Sequence, residues 1–192
     1  MSKGRMEAFS DGVVAILITI MVLELTVPEE ATLSALRPLI PTLMSYILSF
    51  VNLGIYWNNH HHLLQAVKRV DGRILWANMH LLFWLSLIPF TTSWMGEHPS
   101  TAWPAALYGV VLLFAAGAYR LLTLALIAQN GRDSILATSI GRDFKGWISI
   151  TFYLLAIPAA FLNPWISYGL YALVAIIWLI PDRRIEKNLV RE

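Results

Sequence analysis

Hydrophobic positions gather into six long runs, separated by polar stretches short enough to be loops. The first goes from about Met6 to Thr26 and stops before Pro28, Glu29 and Glu30. The second spans about Ala31 to Trp57, with room to continue as helix through the histidines that follow. The third covers about Ile74 to Met95, and the fourth about Thr101 to Ala128. The fifth is about Phe144 to Leu162, and the sixth about Pro164 to Ile180, stopped by Pro181 and a charged tail. Asn163-Pro164 makes the connection between the last two a tight turn. A bilayer crossing takes about 20 apolar residues, so the pattern predicts six membrane-spanning helices with almost nothing outside the bilayer.

Composition supports that prediction. Of 192 residues, 57% are hydrophobic and only 14% charged, about half the charged share of a soluble domain. Mean hydropathy is +0.61. A soluble globule, a disordered chain and a fibrous repeat are excluded. Lys3 and Arg5 before the first run suggest a signal peptide, but Glu7 and Asp11 spoil its apolar core and no small-x-small site follows. The expectation is an all-α, multi-pass membrane protein, a single domain over residues 1–192, placed in the cell (inner) membrane. Cysteine is absent, which removes disulfides, thiolate metal sites and a thiol nucleophile.

Charge sets the orientation. With six spans both termini share a side, which holds Lys3, Arg5, Lys68, Arg69, Arg73, Arg132, Arg142, Lys145, Arg183, Arg184, Lys187 and Arg191. The other side holds Arg37 alone, and Arg120 lies within the fourth run. Positive residues stay in the cytoplasm, so N- and C-termini are expected there. This spread also argues against a nucleic-acid binder, whose basic residues form a patch. Gly131-Arg132-Asp133 recurs as Gly141-Arg142-Asp143 in one loop and reads as turn and helix-cap chemistry.

Enzyme signatures are missing: no P-loop, dinucleotide-binding glycine motif or G-x-S-x-G is present. The Thr-Val-Gly-Tyr-Gly potassium filter is also absent. His60-His61-His62 is a poor metal site, because adjacent helical residues point about 100° apart. Polar groups inside the apolar runs say more, since ionisable residues in a bilayer are costly. Asp11, Asn78, His80 and Arg120 sit about two turns from the cytoplasmic ends of their helices, Trp57 and His60 lie near the cytoplasmic end of the second, and the six are expected to form one layer. That layer is either a structural clamp between helices or a proton or ion relay. Glu24, near the outer end of the first helix, is a mouth charge or an exposed end residue.

The first helix carries one further pattern. Val13, Ile16, Ile20 and Leu23 step by three and four residues and form a stripe, with Thr19 at its border and small Gly12 and Ala15 nearby. Such a stripe packs on helices or lipid. In a symmetric oligomer it would instead ring an axis with hydrophobic constrictions.

Arg5-Met6-Glu7-Ala8-Phe9-Ser10-Asp11 matches an R-x-x-x-F-S-D motif opening the first span, and Trp57-Asn58-Asn59-His60 matches a W-x-x-H element late in the second. Asn78 and Pro89-Phe90 stand at related positions in the third. The chain resembles the transmembrane protein 175 family of endosomal and lysosomal potassium channels, in its single-repeat prokaryotic form. The resemblance covers the whole chain, most clearly residues 5–95. It implies a homotetramer with a pore formed by the first helix, whose rings here would be Ile16, then Thr19 or Ile20, then Leu23. It implies that Arg5, Phe9, Ser10, Asp11, Trp57, His60, Asn78 and His80 form a packing network at the cytoplasmic end. K⁺, with Rb⁺ and Cs⁺, would pass more readily than Na⁺ because apolar rings resist strongly hydrated ions. No cofactor, metal or nucleic acid is implied. The expected function is passive potassium-preferring conduction. The alternative is a proton channel or proton-coupled transporter using Asp11, His60, His80 and Arg120. A membrane-embedded enzyme is disfavoured because Asp11 and Glu24 lie thirteen residues, roughly 20 Å, apart on one helix.

Overall fold

A computed structural model of the chain describes residues 2–67, 69–131, 134, 136–137 and 143–179. Its elements are α1 (Lys3–Val22), a 3-10 segment (Leu33–Leu39), α2 (Ile40–Gln65), α3 (Gly72–Ser86), α4 (Ile88–Glu97), α5 (Ala102–Asn130), α6 (Phe144–Ala159) and α7 (Pro164–Leu179). Among the described residues there is no strand. Leu33–Gln65, Gly72–Glu97 and Ala102–Asn130 are long and apolar enough to cross a membrane. The two last helices are shorter, 16 residues each, or about 24 Å at 1.5 Å per residue.

Three boundaries differ from the apolar pattern. α1 ends at Val22 rather than near Thr26; Leu23, Glu24 and Leu25 close it with i→i−3 bonds. The second run opens as the 3-10 segment, and α2 begins only at Ile40, where Pro41 sits in the first turn and its missing N–H costs nothing. The third run is two helices. Pro89 cannot donate to the carbonyl four residues back and its ring crowds it, so the chain breaks at Leu87, whose N–H turns to Trp84 O at 3.3 Å.

Helix starts follow from local side chains. Asp71 accepts from Ile74 N at 2.9 Å and Asp143 from Gly146 N at 3.0 Å, so each caps a helix N-terminus. Asn163 does the same for α7 through Trp165 N at 3.0 Å. Gly131, at φ 96°, lets the chain leave α5 where an L side chain would be strained. Gly131 and Asp143 thus do have turn and cap roles, while the remainder of the two Gly-Arg-Asp triplets lies outside the described residues apart from this pair. So do Lys68, Arg183, Arg184, Lys187 and Arg191.

α5 is the hub of the bundle, packing against α3, α4, α6 and α7. Ala105, Ala106, Gly109, Ala115 and Ala118 are buried on it or within its contacts, and such small residues let helix backbones approach closely. At Gly109 a Cβ would collide with the hydroxyl of Tyr171. α1 stands at the edge of this core, against α2, α3 and α4.

Candidate functional site

α1 has two unlike faces. Met6, Ser10, Val14, Leu17 and Met21 are buried, at steps of four and three. Phe9, Gly12, Ala15, Ile16, Thr19, Ile20 and Leu23 are exposed, Ile16 at 57% and Leu23 at 76%. Val13 lies between the faces and packs partly on the core. The four residues Ile16, Thr19, Ile20 and Leu23 therefore share a side of α1 that no other helix among the described residues covers. Thr19 Oγ1 donates back to Ile16 O at 2.9 Å or Ala15 O at 3.1 Å. Its proton is spent on its own helix, which leaves the oxygen lone pairs pointing outward.

Behind that face, α1 is pinned by hydrogen bonds. The Trp57 indole Nε1 donates to Asp11 Oδ1 at 3.0 Å. His60 Nε2 meets Asn78 Oδ1 at 2.7 Å, and Asn78 Nδ2 donates to Ser10 Oγ at 2.9 Å. Ser10 Oγ in turn donates to Met6 O at 2.9 Å. Because the Asn78 amide nitrogen faces Ser10, its oxygen faces His60, which must donate through Nε2. The chain α2–α3–α1 thus runs donor to acceptor in one direction and ends on a backbone carbonyl. Ser10, His60 and Asn78 are all buried. A path that ends on a carbonyl and passes through an amide holds helices together and does not hand protons onward.

Not every expected member of the layer is in it. His80 is exposed and accepts from Trp84 Nε1, one turn along its own helix, at 3.0 Å. Two residues from Asn78, it points to the opposite side of α3. Arg120 instead pairs with Asp143 at 3.3 Å and stacks over Trp147 at 4.7 Å. Arg5 is exposed with no side-chain bond among the described residues, and Phe9 is exposed beside it on α1. Glu24 follows α1 and accepts from Ser93 Oγ of α4 at 2.8 Å. Glu7, which the sequence did not single out, pairs with His61 at 3.2 Å.

Sequence reasoning also missed a second polar cluster deeper in the bundle. Ser49 Oγ lies 2.6 Å from Thr92 Oγ1 and 3.0 Å from Tyr108 OH, and Asn52 Nδ2 donates to Tyr108 OH at 3.3 Å. Its only signal was the spacing of Ser45, Ser49 and Asn52 on α2.

Comparison with known proteins agrees with this architecture. The chain is 56% identical over 189 residues to a potassium channel of Chryseobacterium sp. (strain P1-3), covering 98% of each. A family model described as endosomal/lysosomal potassium channel TMEM175 matches residues 5–89. The chain belongs to the TMEM175 family. It is a membrane protein of a cation-channel family and not an enzyme. Its fold matches the crystal structure of a lysosomal potassium-selective channel TMEM175 homolog from Chamaesiphon minutus, with TM-score 0.82 and 28% identity, covering 94% of this chain and 97% of that one. The human endosomal/lysosomal proton channel TMEM175 is 28% identical over 146 residues, 67% of this chain and 29% of that protein. The family match takes in both motif elements, around Asp11 and around Trp57.

Proposed function

We propose that this chain is a potassium-preferring cation channel of the inner membrane, assembled as a homotetramer of six-span subunits with cytoplasmic termini. The carrying observation is the uncovered face of α1, apolar and backed by a hydrogen-bonded clamp. An apolar helix face held in fixed rotation is suited to meet its symmetry mates around an axis. Four copies around one axis bring Ile16, Ile20 and Leu23 into successive rings spaced about 6 and 4.5 Å by helical rise. Rings of bulky aliphatic side chains gate by dewetting and make an ion shed water. K⁺, Rb⁺ and Cs⁺ hold their water less tightly than Na⁺ and are favoured. Thr19 places a ring of outward oxygen lone pairs between the apolar rings, a partial substitute for lost hydration. Ser10, Asp11, Trp57, His60 and Asn78 set the tilt and rotation of α1, and Glu24 holds its far end through Ser93. Flow is passive and needs no cofactor. The potassium-channel names of the bacterial relatives favour this reading.

A second reading, proton permeation, is favoured by the naming of the human and mouse relatives as proton channels. Reversal potentials of the reconstituted protein under imposed K⁺, Na⁺ and H⁺ gradients test both. A shift that follows K⁺ supports the first reading, and one that follows pH alone replaces it with the second.

A further inference from the structure

His61 on α2 has surroundings that suit both its neutral and its charged form. Its Nδ1 lies 3.2 Å from Glu7 Oε1 on α1, and its Nε2 lies 2.8 Å from Gln65 Nε2, one turn along its own helix. A carboxylate only accepts, so in the neutral ring Nδ1 holds the proton and Nε2 takes an N–H of Gln65. A second proton adds to Nε2. Turning the Gln65 amide over then presents its oxygen, and no hydrogen bond is lost. What changes is the contact with Glu7. A neutral ring offers the carboxylate one N–H, whereas a charged ring makes an ion pair with it. His61 is four residues from the end of α2, and its side chain is 37% exposed and that of Glu7 24%, so water reaches the pair.

Glu7 and His61 form the lower rung of a ladder between α1 and α2. Glu7 and Asp11 are four residues apart on α1, as are Trp57 and His61 on α2, so each pair shares a helix face. The upper rung is the bond from Trp57 Nε1 to Asp11 Oδ1 at 3.0 Å. The rungs touch, because the Trp57 and His61 rings stack at 6.3 Å with 20° between their planes. The groups able to carry charge around His61 are few. α1 brings Glu7, with Lys3 and Asp11 one turn to either side. α2 brings His60 and His62, whose ring lies 5.7 Å from that of His61. α7 packs on α2 with no charged residue among those described, and the 3-10 segment and α4 carry their charges at the other end of α2. α3 meets α2 at Asn78 and turns His80 the other way, and Arg120 of α5 is engaged by Asp143.

We propose that the Glu7–His61 pair is a pH-sensitive latch: a proton taken up by His61 from the cytoplasmic side ties the inner end of α1 to α2 and lowers K⁺ conduction. It rests on the tetrameric potassium-channel reading, in which that end is cytoplasmic and α1 lines the axis. Apolar rings conduct when the helices that bear them shift enough to wet the constriction. A second tie at the inner end of α1 opposes that shift. A partly exposed ion pair biases such an equilibrium by about 1.5- to fivefold, and four identical pairs act together in a symmetric assembly.

The test is single-channel K⁺ recording of the reconstituted full chain in planar bilayers, each bath being taken in turn from about pH 8 to about pH 6, where histidine gains its charge. K⁺ conduction should fall at least about twofold when one bath is acidified and hold steady when the other is. His61→Asn keeps an N–H donor near the Nδ1 position and cannot take up the proton. Glu7→Gln keeps an acceptor and removes the charge. Both variants should conduct at the higher pH as the native chain does and lose the response to acid. The latch is overturned if native conduction is unchanged or rises on acidification, if both baths act alike, or if either variant still responds. Those results leave the potassium reading in place, whereas absence of K⁺ conduction in the native chain overturns both.

Discussion

Trp57 on α2 and Asp11 on α1 meet at 3.0 Å, indole nitrogen to carboxylate, at the edge of the exposed face of α1. One residue along, Ser10 is held from α3. Adjacent positions on α1 are thus tied to two different helices, which fixes the helix in rotation as well as in place. Trp57→Phe keeps most of the ring and removes the donor. We expect about 1 kcal/mol of lost stability, less than the about 1.5–3 kcal/mol of a buried bond to a charged group because both partners are partly solvated. Thermal unfolding of the detergent-solubilised assembly measures it.

Asn78 should matter more than His80. Asn78→Leu strands buried Ser10 and His60 at once and should cost about 2 kcal/mol or more. His80→Leu removes a single bond within one exposed turn and should change stability little. Equal effects in the same unfolding assay would contradict the division of the layer.

Two glycines separate packing inside the protomer from contact between protomers. A Cβ at Gly96 would come to 2.7 Å from Thr42 Cα, so α4 and α2 must part. Gly96→Ala should therefore lower stability by about 1–3 kcal/mol. At Gly12 a Cβ would meet nothing outside its own helix within 4 Å among the described residues. Gly12→Ala should leave the protomer intact, with a helix-propensity gain of up to about 1 kcal/mol, and should alter current or subunit association. Size-exclusion and single-channel recording distinguish the two outcomes.

Asp143 caps α6 through Gly146 N and also holds Arg120. Asp143→Ala should cost about 1 kcal/mol, nearly all from the cap, since the ion pair is about one-third exposed on each side and is weakened by solvent. Asp143→Asn, which keeps a capping oxygen, should recover most of it. Melting temperatures of the two variants side by side check the partition.

The apolar runs were readable because an uninterrupted apolar stretch has few alternatives to a buried helix. The break at Leu87 was not read, although Pro89 was there to signal it, since the run stays apolar across the break. The polar layer was readable in depth, which follows from counting 1.5 Å per residue; Asp11 meets Trp57, and Asn78 meets His60. Azimuth decided the rest. His80 has the right depth but points away from Asn78's side of α3, and Arg120 pairs with Asp143, 23 residues on, which no periodicity encodes. The cluster of Ser49, Thr92 and Tyr108 escaped notice because hydroxyls are common in membrane helices, and only packing shows which of them meet.

The central claim is that the exposed face of α1 lines the ion path. In a chain without cysteine, Ile16→Cys and Leu17→Cys place one thiol on each side of that helix. A thiol reagent applied during K⁺ recording should abolish current in Ile16→Cys and spare Leu17→Cys. Unchanged current at Ile16, or equal block at both, would contradict the account.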